Sequence, residues 1–130
     1  MKTMQYVLYA FALLFALSGV FAVLPWPVIN SFMEWSGGIA FPGDAIVVYS
    51  LRSFFLIIFW IGILLFLVAR DPVANSQAAL VLAGMCLSAA VLCLVLGIRY
   101  GLPYFFYFDV LSSLVLGALL LAYRARAAAG

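Results

Sequence analysis

With 130 residues, 70% of them apolar and only 8% charged, and a mean hydropathy of +1.33, the chain lies outside the composition of water-soluble domains. Its solvent is a bilayer, and its length allows a single domain with nothing left over for an attached soluble catalytic module. A formal charge of +2 with no histidine offers neither a nucleic-acid-type basic patch nor a histidine ligand for zinc, iron or haem.

A hydrocarbon core about 30 Å thick takes roughly 20 helical residues, and four stretches of that size occur in order: residues 4–24, 45–69, 76–98 and 103–123. Each ends in a recognisable stop: Pro25 and Pro27, Arg70-Asp71-Pro72, Arg99-Tyr100-Gly101, and Arg124 with Arg126. The expected fold is an all-α polytopic bundle of four transmembrane helices forming one domain over 1–130. Lys2, the apolar run after it and Val20-Phe21-Ala22 resemble a secretory signal; the segment is read here as a retained first helix.

The first connection, residues 25–44, is far longer than the four or five residues a turn needs. Trp26, Phe32, Met33, Trp35 and Phe41 are too apolar for a solvated loop and favour the membrane interface. A short amphipathic or re-entrant segment is expected there, over the outer end of the helices. It is either an interfacial anchor or a lid with Glu34, Trp35 and Arg99 at its mouth.

Lys2, Arg70, Arg124 and Arg126 share one side of an even-numbered set of spans, against Arg99 at the opposite boundary. The positive-inside rule then places both termini in the cytoplasm, and a bacterial inner membrane is the expected location. Cys86 and Cys93 share a face of the third span about 10 Å apart along the axis, too far for a mutual disulfide. The same span offers Ala89, Cys93 and Gly97 at intervals of four, with Gly84 and Ser88 alongside. Its short link to the fourth span makes Ser113 and Gly117 the expected packing partners.

Two charges fall within the spans. Arg52 lies eighteen residues from Arg70 and Asp109 fifteen from Arg124, so the two sit within about 4 to 5 Å of the same height. A charge at mid-membrane costs roughly 2.5 to 3.5 kcal/mol on insertion scales. Each is therefore expected to turn inward, and an Arg52–Asp109 ion pair is predicted, with Arg99 as a competing partner. Tyr49 and Ser53 beside Arg52, Ser112 and Ser113 beside Asp109, and Tyr104 and Tyr107 nearby would line an outer-half cavity. Such a pair is either a clasp that fixes helix register or the floor of a site for a flat apolar molecule, a lipid or a quinone.

Gly19, Pro25, an aromatic first loop, Arg52 early in the second span, the Arg70-Asp71-Pro72 turn and Asp109 early in the fourth together resemble the DoxX-like group of small four-helix membrane proteins. The resemblance covers nearly the whole chain. It implies an integral-membrane subunit, or a quinone-linked role beside a membrane oxidoreductase, and carries over no catalytic motif.

Three functions stay open. The first is an accessory or ligand-binding membrane subunit with no catalytic activity of its own. The second is a subunit of a quinone-linked oxidoreductase whose redox centre comes from another chain. The third is a small proton-coupled transporter. No cofactor is encoded, a bound lipid or quinone is the expected small molecule, and the expected partners are the bilayer and either a larger membrane complex or a second copy.

Overall fold

The computed structural model describes every residue except Ile39, Pro103, Phe105 and Phe106. It is all-helical: α1 Lys2–Val23, α2 Trp26–Gly37, α3 Ala45–Arg70, α4 Ser76–Tyr100 and α5 Tyr107–Ala129. Four of these, α1, α3, α4 and α5, are long and apolar enough to cross a membrane. At 22 to 26 residues each, they are about 33 to 39 Å long. Helices keep every mid-span amide bonded within its own segment, as a hydrocarbon solvent demands. Large apolar side chains such as Leu13, Leu14, Ile57, Val91 and Val115 are exposed on the long helices, as befits surfaces that meet lipid.

The long first connection contains a helix, α2. Pro25 ends α1, and Pro27 sits in the first turn of α2, where a missing N–H costs nothing. Gly38, at φ 66°, closes it with its N–H on the Glu34 carbonyl at 2.8 Å. Helix α5 is described over Tyr107–Ala129 and so runs six residues past the expected end at 123; the expected start, Pro103, lies outside the described residues.

The chain divides into two compact units, one of Met1–Ala10 with Leu64–Gly130, the other of Phe11–Ile63. In the first unit α4 and α5 form an antiparallel hairpin, with Gly97 against the Tyr107 ring and Gly117 against Leu87 and the Ala83 carbonyl. Its core comprises Leu8, Leu65, Val68, Ala69, Ala79, Leu82, Ala83, Ala90, Val110, Leu116, Leu120 and Tyr123. The strict four-residue stripe expected on α4 is not the seam: Ala89, Cys93, Gly84 and Ser88 are exposed. Each step of four residues turns a helix about 40° past a full revolution, so a row of fours winds off an interface, whereas mixed steps of three and four hold it. Ala79, Ala83, Ala90 and Gly97 keep to the seam. Ser88, left on the outside, returns its hydroxyl to the Gly84 carbonyl at 2.7 Å.

In the second unit α1 and α3 run antiparallel in close contact. A Cβ on Gly62 would lie 2.6 Å from the Ala16 nitrogen and 2.9 Å from the Ala12 oxygen, so only glycine admits this approach. Ser18 donates to the Phe55 carbonyl of α3 at 2.9 Å. Helix α2 seats Ile29, fully buried. The return segment is held by Asn30, whose Oδ1 accepts from the Phe41 N–H at 2.9 Å.

Candidate functional site

Arg52 lies on the first half of α3, in the second unit. Its Nη1 donates to the Ala22 carbonyl at 2.8 Å and its Nη2 to the Leu24 carbonyl at 3.0 Å. Pro25 stops α1, so the last carbonyls of that helix lack intrahelical donors, and unpaired carbonyls are costly at the edge of a bilayer. A guanidinium supplies two donors at once and places positive charge at the negative end of the helix dipole. Arg52 thus acts as the C-terminal cap of α1.

Asp109 belongs to the first unit, as the acidic residue in the first turn of α5 as described from Tyr107. There a carboxylate meets the positive end of the helix dipole. Asp109 is exposed and not turned inward as expected, while Ser112 donates to its backbone carbonyl at 3.2 Å. The two charges that suggested an ion pair fall in different units, and each has a local electrostatic reason for its position.

The other expected residues divide in the same way. In the second unit Ser53 is half-buried, Tyr49 is 73% exposed, and Glu34 and Trp35 are exposed on α2. In the first unit Tyr104 is 90% exposed, and Tyr107 packs on Gly97 with its ring 6.4 Å from that of Tyr104. Ser112 and Ser113 are half-buried on α5. Arg99, exposed at the end of α4, lies over the Tyr100 ring at 5.9 Å.

Two arrangements escaped the sequence reading. The first is a series of aromatic rings in the second unit. Trp35 and Phe32 of α2 stand 6.1 Å apart, Phe32 meets Phe21 of α1 at 4.9 Å, Phe21 meets Phe55 of α3 at 5.5 Å, and Phe55 adjoins Phe54 at 6.1 Å. Both ends of the series are exposed, Trp35 by 82% and Phe54 by 54%. Phe55 lies three residues from Arg52, and Phe21 precedes Ala22, whose carbonyl Arg52 caps. The i, i+4, i+7 spacing of Val28, Phe32 and Trp35 was the available signal, since it marks an exposed apolar stripe on α2.

The second arrangement is a polar node at the end of α3 in the first unit. The Ala69 carbonyl accepts from Gln5 Nε2 of α1 at 2.8 Å and from the buried Tyr123 hydroxyl of α5 at 3.0 Å. Asn75 Nδ2 donates to the Leu67 and Asp71 carbonyls at 3.1 and 2.9 Å, and Asp71 Oδ1 accepts from the Ala74 N–H at 3.0 Å. The orphan carbonyls of the last turn of α3 are thereby satisfied by side chains from α1, α5 and the α3–α4 turn. No periodicity announces such a node, because its two bonds to the Ala69 carbonyl come from residues more than fifty positions away in sequence.

No family model, no curated protein and no solved structure matches this chain.

Proposed function

We propose that the protein is an accessory subunit of a bacterial inner membrane, with both termini cytoplasmic, that binds a flat apolar molecule of lipid or quinone type on the aromatic series of its second unit. The observation that supports this reading is the run of rings from Trp35 through Phe32, Phe21 and Phe55 to Phe54, open at both ends. Rings about 5 to 6 Å apart offer π-faces to a planar ligand, with stacking and edge contacts worth about 0.5–1.5 kcal/mol per pair. The resemblance to DoxX-like proteins points the same way, toward a membrane subunit that serves a quinone-linked oxidoreductase whose redox centre another chain supplies. A proton-coupled transporter is less well supported, because Asp109 is exposed in the first turn of α5.

Trp26, Trp35 and Trp60 all belong to the second unit, so intrinsic fluorescence reports on it. Titration of the protein in nanodiscs with a short-chain quinone should quench that fluorescence saturably, and Phe32→Ala should weaken the saturable component by about tenfold. Quenching that rises linearly in both proteins, as simple partition into lipid does, would refute the reading.

A further inference from the structure

Four of the six cations of this chain, Lys2, Arg70, Arg124 and Arg126, belong to the first unit and stand at helix ends that its polar node draws together. Gln5 and Tyr123 both bond the Ala69 carbonyl, which puts the start of α1, the end of α3 and the end of α5 around one oxygen, with Arg70 the next residue along. Arg126 Nη1 lies 3.4 Å from Met4 Sδ, on the first turn of α1 beside Lys2. Arg124 Nε donates to Ser76 Oγ at 2.9 Å, which adds the start of α4 to the same end. The only acidic side chain here is Asp71, so this end carries +3 against −1 for the rest of the side chains.

We infer that this end binds the headgroup of an anionic phospholipid. Charge complementarity carries the inference. The contacts made by Arg124 and Arg126 go to a hydroxyl and a thioether, neither of which cancels a charge, and both guanidiniums keep further N–H donors for a phosphodiester. Lys2, Arg70 and Arg126 are exposed. The carbonyls at the end of α3, which would otherwise repel an anion, are occupied by Gln5, Tyr123 and Asn75. These cations stand at the ends of spans, where a lipid phosphate is the nearest abundant anion, and each cation close to an anionic membrane surface adds about fivefold in binding. Arg99, at the far end of α4 and over Tyr100, lies outside the cluster.

The full chain in mild detergent, given equal amounts of phosphatidylglycerol and phosphatidylcholine of the same acyl composition, should retain phosphatidylglycerol preferentially in native mass spectrometry. Arg70→Gln with Arg126→Gln should reduce that preference by more than about tenfold, and Arg99→Gln should leave it in place. Because the double variant could fail to fold, the wild-type protein supplies a second measurement: raising the ionic strength before analysis should erode the preference through screening. Equal retention of the two lipids by the wild-type protein would overturn the inference. So would a preference that survives both the double substitution in a folded protein and high salt.

Discussion

Arg52 donates through Nη1 to the Ala22 carbonyl at 2.8 Å, joining α3 to the end of α1. With the second bond to Leu24, this accounts for a cation in an apolar helix without a carboxylate: the counter-charge is the negative end of a helix dipole. Hydrogen bonds from charged donors contribute about 1.5–3 kcal/mol each when an uncharged alternative is absent. Arg52→Gln should therefore lower the unfolding midpoint in detergent clearly, and Arg52→Lys, which keeps the charge but loses the fork, should fall between the two. A wild-type midpoint for Arg52→Gln would remove the capping role.

Asp109→Asn distinguishes a helix-end carboxylate from half of a buried pair. In the first turn of α5 the charge contributes about 0.3–1 kcal/mol, so the variant should express and melt close to the wild-type protein. Loss of folding, restored when Arg52 and Asp109 are exchanged, would instead establish the pair expected from their heights.

Gly62 lies against backbone atoms of Ala12 and Ala16, which cannot rotate away as a side-chain tip can. Gly62→Leu should force α1 and α3 apart and cost at least the roughly 1–3 kcal/mol of an overpacked core. Gly84→Ala, where a Cβ meets nothing within 4 Å, is the control and should be neutral or slightly stabilising, since glycine is a poor helix former. Thermal unfolding in one detergent compares all three proteins.

Tyr123 and Gln5 share the Ala69 carbonyl, so each backs up the other. Tyr123→Phe or Gln5→Leu alone should cost about 1 kcal/mol. The double variant should cost more than the sum, because only then is a carbonyl at the end of α3 left without a side-chain donor. Strict additivity in a double-mutant cycle would mean that the two bonds are independent.

Four long helices and a short one give an even number of crossings if α2 stays at the surface. Cysteines introduced at Ser31 and Arg126 should then react with a membrane-impermeant maleimide from opposite sides of intact cells, Ser31→Cys from outside and Arg126→Cys only after permeabilisation. Ser31→Cys reacting only after permeabilisation and Arg126→Cys from outside would reverse the assigned topology, and reaction of both from one side would break the count of three crossings between them.

By itself, the sequence determined the solvent, the number of span-length helices and most of their ends. Apolar length and the stops at Pro25, Arg70-Asp71-Pro72 and Gly101 are local properties of the chain, and the backbone must satisfy itself in lipid wherever they fall. It also marked the first connection as more than a turn, through its length and through Trp26, Phe32 and Trp35, and that connection holds helix α2. Only the tertiary structure decided what the polar residues do. Counting heights placed Arg52 and Asp109 level, yet height does not fix azimuth. Asp109 is exposed in the first turn of α5, and the stop at Pro25 left carbonyls that Arg52 reaches. The bonds of Gln5 and Tyr123 to the Ala69 carbonyl, and the contacts of Phe21 with Phe32 and Phe55, join separate helices. The period of α2 marks its exposed stripe, but no sequence period encodes these contacts between helices, because they arise only when the helices are packed side by side.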